Sequence, residues 1–444
     1  MNKIIKNKKF AALIGILICS SLLKAQTNTD TLHLTLKDAL EIALSDNLSI
    51  KIADQEITKQ RYARKGGFSS LFPQIDFSGA YQYSIEKQTI YMDGIPGMED
   101  GIKMGMDNNW SLGFSAGMPI VSVPLWQSFK LSAYDVELAV EKARCSRIDM
   151  IDQVKRAYYT VLLAENAYEV YKQAYDNTVY NYNEIKLKVD KGYLSEYDLI
   201  RANVSMKNAE PEVYNAENSL ILAYWQLKVL LGLELEKNVV CANSLDDYEN
   251  DLVTDNLLPF TSLANNSTLW QLDIQYAQLK KIRQMQIAQY YPSISAQFSY
   301  NWMSMNNNFR KFRWDPYSVV AISLNIPIFS GGKRMFDVKQ SKINMMQLAN
   351  QRIDIERNLN MAVKQAVDQM NTSVKQYAAA RASVEESEKG YAITMKRYET
   401  GEGTFLDVNQ AQLSMTQSKL NLNYAIYNYL AAKSSLEKLT AENK

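Results

Sequence analysis

The chain has 444 residues, with 49 Lys and Arg against 48 Asp and Glu, a net charge of +1. That balance leaves no basic footprint for nucleic acid. The single histidine, His33, removes most imidazole-based metal and triad chemistry, so no cofactor, no metal centre and no enzymatic activity are expected.

Residues 1–25 read as a secretory signal peptide. Lys3, Lys6, Lys8 and Lys9 form a basic start, Phe10 to Leu23 a short apolar run, and Ala25 precedes the cleavage point. Cys19 follows Ile18 where a lipoprotein signal would carry a small residue, so plain export is expected. Export removes five lysines and no acid, taking +1 to −4. Cys145 and Cys241 remain, too few for a disulfide framework although an exported chain can pair them. No later stretch is long and apolar enough for a spanning helix, which leaves open a β-barrel, whose wall is written in alternation.

A helical opening (Leu36, Ala39, Leu40, Ala43, Leu44) leads to Pro73 and then to period two. Ile75, Phe77, Tyr81 and Tyr83 hold odd positions. After a glycine-rich loop, Trp110, Leu112, Phe114, Ala116, Met118 and Ile120 hold even ones, with Ser and Gly between. Strands are therefore predicted at about 73–85 and 109–120. From about Ser122 to Lys191 the spacing turns helical, and a helix that long would reach about 100 Å at 1.5 Å per residue. At "KGYLSEYD" (191–198) it turns back into a helix whose seam steps by three and four, with Ala202, Ala209, Ala216 and Ala223 small every seventh residue. Pro211 lies inside that seam and should kink it.

After a linker (233–262) the order begins again. Period two returns in Ile294, Ala296, Phe298, Tyr300 and Trp302, then in Val320, Ile322, Leu324, Ile326 and Ile328, predicting strands at about 292–303 and 317–328. A helical run from Lys333 to Thr400 ends at "TGEGTFLD" (400–407), and a second seam carries Ala411, Ser418, Ala425 and Ala432. The two turns align at an offset of 209, matching Gly192 to Gly401, Ser195 to Thr404 and Asp198 to Asp407. "FPQIDF" at Phe72 and "YPSISA" at Tyr291 align at 219. The chain thus reads as two repeats, 26–232 and 263–444. Each turn carries a glycine fit for a left-handed helix end, then Ser/Thr-x-x-Asp, which resembles a capping box. Helix capping is one reading of Asp198 and Asp407.

This duplicated order of helix, two strands, long helix and return helix, with a signal peptide, Pro-Ile after the second strand and glycine–Asp tips, resembles the TolC-like outer-membrane efflux protein family. The resemblance covers nearly all of the chain beyond residue 25. It implies a mainly α, mixed fold: a long antiparallel coiled-coil helical barrel plus a transmembrane β-barrel of four strands per protomer and twelve in a homotrimer. It implies a channel exporting small molecules or polypeptides, docked to a periplasmic adaptor and an inner-membrane pump of resistance-nodulation-division or ABC type. Its gate would lie at the hairpin tips. Asp407 matches the first pore-ring aspartate and Gln410 the second, while Tyr398 and Asp198 match a gate-closing pair. Gly403 stands where the family keeps a gate arginine, opposite Tyr197. Gly192, Tyr193, Leu194, Gly401 and Glu402 fall where adaptor hairpins touch. An exported coiled-coil scaffold or adhesin with a soluble sheet is the alternative.

Overall fold

The computed structural model describes residues 31–91, 101–254, 262–309 and 312–441; residues 1–25, expected as a signal peptide, with Cys19 among them, and part of the linker lie outside them. In chain order the elements are β1 (Leu32–Leu34), α1 (Leu36–Asp46), α2 (Leu48–Ser69), β2 (Gln74–Tyr83), β3 (Gln88–Ile90), β4 (Ile102–Met104), β5 (Asn108–Val121), α3 (Val123–Asp190) and α4 (Glu196–Leu231). Then come β6 (Val239–Cys241), a 3-10 turn (Leu245–Tyr248), α5 (Glu249–Thr254), α6 (Ser267–Ala288), β7 (Ser293–Asn306), β8 (Asp315–Asn325), α7 (Lys333–Glu399) and α8 (Phe405–Thr440). The fold is mainly helical. Among the described residues no helix is long and apolar enough to cross a membrane. The chain divides into two compact units.

One unit is built, among the described residues, from 49–91, 101–148, 262–309, 312–364 and 439–441. Its centre is a single antiparallel sheet in the order β2-β5-β7-β8. Directly paired residues share a face, so the register sorts the side chains. Ile75, Ala116, Phe298 and Val320 form one row, and Phe77, Phe114 and Tyr300 lie in the next. The opposite face has Gln74, Gly117 and Gln297 in one row and Asp76, Ser115 and Ser299 in the next. The apolar face is bare: Val320 is 77% exposed, Ile322 73% and Ile75 71%. Tyr81, Trp110, Phe309 and Phe312 cluster at the end near the β5 start, with Tyr81 and Trp110 ring centres 4.3 Å apart. The loop between β2 and β5 carries the small hairpin β3–β4, which alternation alone did not predict.

The other unit is built, among the described residues, from 31–48, 149–254 and 365–438. In it α3 and α4 form one hairpin and α7 and α8 a second. Ala202, Ala216, Ala223, Ser418, Ala425 and Ala432 are buried, as a seam of small residues requires, and Ser383 Oγ lies 2.9 Å from Ser418 Oγ across α7 and α8. Pro211 sits inside an uninterrupted α4. Its ring removes one hydrogen bond, to the carbonyl of exposed Lys207, which water can satisfy. A two-stranded parallel pair, β1–β6, joins residues more than 200 apart in sequence. Beside it the Tyr158 hydroxyl donates to Leu34 O and Asn243 Oδ1, both at 3.0 Å. Tyr224 bonds Glu165 and accepts from the Cys241 amide. Neither Cys145 nor Cys241 is in a disulfide.

Two buried asparagines make the same bond, one in each unit. Asn47, in the break between α1 and α2, donates to Leu230 O at 2.8 Å, and Asn266, the N-cap of α6, donates to Leu439 O at 2.8 Å. Each ties the start of a helix to the last turn of a returning one.

Candidate functional site

Both hairpin tips lie in the helical unit, and each is built from a glycine stop followed by a hydroxyl start. At the end of α3, Gly192 takes φ +77, its amide donates to Val189 O and the Tyr193 amide to Lys188 O, both at 2.8 Å. At the end of α7, Gly401 takes φ +81, with Gly401 N to Tyr398 O at 3.2 Å and Glu402 N to Arg397 O at 2.8 Å. These are the paired six-to-one and five-to-two bonds of a Schellman motif, which satisfy carbonyls the helix leaves open. A Cβ at either glycine would meet nothing within 4 Å, so it is the left-handed backbone, not space, that requires glycine.

The helix starts differ. Thr404 and Asp407 close a full reciprocal capping box. Thr404 N donates to Asp407 Oδ2 at 3.0 Å, Thr404 Oγ1 to the same oxygen at 2.8 Å, and Asp407 N to Thr404 Oγ1 at 3.3 Å. Those bonds, the backbone one first, together with the Arg397 charge hold the Asp407 carboxyl below the usual carboxylate range. The first tip makes only half of the box: Ser195 Oγ donates to Asp198 Oδ2 at 2.7 Å and accepts from Asp198 N at 3.3 Å.

Between the tips sits a small apolar core of Ile185, Ala202 and Phe405, flanked by Tyr182, Val189, Leu194, Leu199 and Tyr398. It joins the two hairpins of one protomer. Tyr398 packs its ring 6.2 Å from Phe405, with Lys188 Nζ 5.3 Å from its centre. The hydrogen bond implied between Tyr398 and Asp198 is not made. The Tyr398 hydroxyl is buried without a hydrogen-bond partner, and the Asp198 carboxylate is held by its own N-cap serine. Burial first, and then the Asp198 charge, push the Tyr398 phenol up to about 12.

The remaining expected residues lie outward. Asp407 and Gln410, one turn apart on α8, are exposed. Tyr193 is 78% exposed and Tyr197 64%, the latter under the Arg201 guanidinium. Glu402 is exposed, whereas Leu194 packs into the shared core. Gly403 is held close: its amide donates to Arg397 O at 3.0 Å, and a Cβ there would stand 3.2 Å from the Tyr398 nitrogen and 3.4 Å from Arg397 C and Cβ. A side chain at 403 would have to push the end of α7 aside. Sequence reading missed Arg397 and Phe405. Arg397 is the counterpart of Lys188 at the 209 offset, a cation in each last turn that the alignment did contain.

One string, Gly113-Phe114-Ser115-Ala116-Gly117, spells a hydrolase nucleophile motif. It runs through the middle of β5 with no strand-to-helix turn, so it forms no elbow.

A one-layer sheet with opposite faces apolar and polar, carried with two capped helical hairpins, defines a class. A sequence profile of the outer membrane efflux protein family matches residues 39–233 and again 258–442, and the chain belongs to that family. It is a TolC-like efflux channel of the outer membrane. Over 406 residues it is 22% identical to outer membrane protein TolC of Escherichia coli (strain K12), across 86% of this chain and 78% of that one. The TolC of Vibrio cholerae is 20% identical over 365 residues, 82% of this chain and 80% of the other. Among solved structures, the CmeC outer membrane channel of Campylobacter jejuni superposes with a TM-score of 0.72 at 18% identity, over 91% of this chain and 85% of its own. CusC gives 0.74 at 15%, over 94% and 95%. These likenesses show the fold.

Proposed function

We propose that three copies of this chain close one twelve-stranded barrel in the outer membrane, continued by their helices as a periplasmic tunnel. Through it small molecules or polypeptides leave the periplasm. The observation that carries this reading is the four-stranded sheet, with one bare apolar face, one polar face and two unpaired edges, β2 and β8. In lipid an open edge leaves backbone N–H and C=O groups unsatisfied, at several kcal/mol each. Four strands cannot close on themselves, and three such sheets can, with apolar residues toward lipid and Gln, Ser and Asn toward water. The two repeats then supply two strands and one hairpin each.

The energy for export comes from outside the chain, from an inner-membrane pump of resistance-nodulation-division or ABC type reached through a periplasmic adaptor. The tips Gly192, Tyr193, Leu194, Gly401 and Glu402 meet that adaptor. Asp407 and Gln410 face the constriction, and the core around Ile185 and Phe405 holds the hairpins of a protomer together while the gate is shut. The full-length protein, extracted from outer membranes, is expected to run as a heat-sensitive trimer and to give discrete conductance steps in planar bilayers. A mature chain that is monomeric and soluble without detergent sinks this reading in favour of a coiled-coil scaffold.

A further inference from the structure

We propose that Arg397 is a selectivity-determining residue of the constriction. It places one guanidinium on the same tip as each Asp407, so that the narrowest ring is less acidic than its aspartates alone would make it. The inference rests on the channel reading above and adds to it the class of ion the gate passes. The geometry starts from Gly403. That position cannot take a side chain without moving the backbone of Arg397 and Tyr398, since a Cβ there comes within 3.2 Å of a main-chain nitrogen. The loop instead folds back on Arg397. Gly403 N and Glu402 N both donate to its carbonyl, and its own Nη2 donates to Glu402 O at 3.4 Å. The side chain is thus laid along the loop that leads into Thr404 and the Asp407 cap, with both charged heads exposed at one tip.

Asp407 is itself fixed. Its Oδ2 takes two bonds from Thr404, so the carboxylate stays ionised and in place at neutral pH. The charged residues of this tip, from 396 to 410, are Lys396, Arg397, Glu399, Glu402 and Asp407, two cations against three acids. Gln410, one turn further along α8, adds no charge to the ring. A trimer therefore carries three guanidiniums on the tips that bear its three Asp407 carboxylates. Ion selectivity follows the field of the charged side chains lining a constriction, and here the cations offset two of the three acids of each tip. The ordinary role of an arginine in a last turn is to complement the helix dipole and its open carbonyls. That role shapes stability and leaves selectivity untouched, so the two are separable.

The test is the reversal potential of the full-length trimer in planar bilayers under a KCl gradient, together with block by a trivalent cation, La3+. The wild-type channel should discriminate weakly between K+ and Cl− and bind La3+ poorly. Arg397→Gln should raise the K+/Cl− permeability ratio by about threefold, the factor a unit charge exerts at roughly 6 Å in water-like dielectric, and should create La3+ block. Arg397→Lys should keep wild-type selectivity. Arg397→Gln channels of normal conductance and unchanged selectivity overturn the proposal, as does a strongly cation-selective wild type. The latter measurement needs no variant to fold. Absence of any conductance step would sink the channel reading itself, and this inference with it.

Discussion

The two hairpin tips share a backbone and differ in chemistry. Each stops a helix with a left-handed glycine and restarts one with a hydroxyl N-cap. The residues hung on that frame diverge at nearly every free position. The first tip places Leu194 in the inter-hairpin core and turns Tyr193 and Tyr197 outward. The second places Glu402 and Gly403 in the matching loop and fixes Asp407 with a full capping box. Both tips carry charged residues. The first also exposes two tyrosines, Tyr193 and Tyr197, while the second holds its aspartate with one more bond. A backbone motif shared by the two tips thus constrains very few of their side chains.

The largest way to break the pairing is to remove the side chain that joins the tips. Phe405→Ala should cost about 3 kcal/mol of local stability, the usual toll for a buried phenylalanine. It should show as faster hydrogen exchange in both tips, not only the second. Exchange confined to α8 would mean the hairpins are held by something else. Placing an arginine where the first tip has leucine, Gly403→Arg, should cost about 2 kcal/mol by overpacking against Arg397 and Tyr398. Lower tip melting by limited proteolysis would check it, and an unaffected tip would mean the loop has room to shift.

The caps sharpen the contrast further. Alanine at either N-cap hydroxyl should cost about 1 kcal/mol, and alanine at the partner acid should cost more at Asp407 than at Asp198, because only Asp407 also accepts from the N-cap backbone amide. Acid should erase that difference. Asp407 has a folded pKa below its unfolded value, so its stabilisation is complete above the unfolded value of about 3.9. It is lost as pH falls through the lower folded value. Proteolysis rates of Asp407→Ala and Asp198→Ala compared at pH 7 and pH 3 would show whether the gap closes. The smallest effect is expected at Tyr398→Phe. Its hydroxyl has no partner, so removal should be neutral or stabilising by about 1 kcal/mol. It should also remove the alkaline weakening that develops as the unfolded phenol ionises near pH 10 while the folded one holds its proton to about 12. A large loss of closed-state integrity in Tyr398→Phe would instead reveal a partner on a neighbouring protomer.

Much of this was legible in the chain, for definable reasons. Period two located β2, β5, β7 and β8 to within a few residues, because alternate side chains meet opposite media and the pattern admits no slip. Gly192 and Gly401 announced their turns because only glycine takes that φ at no cost. What stayed hidden depends on non-local contact. The three-residue strands β1 and β6 are too short to carry a period and pair across 200 residues. Whether Tyr398 reaches Asp198 is decided by packing around Phe405, which no spacing encodes. The tight contact at Gly403 is equally non-local, since it depends on where the last turn of α7 lies.

The unequal connections between paired strands have a genetic consequence. Residues 84–107 join β2 to β5, whereas only 307–314 join β7 to β8. The cross-strand rows run unbroken beneath both, so the extra length with its β3–β4 hairpin perturbs no pairing. Such a segment can lengthen or shorten without disturbing the cross-strand register that carries it.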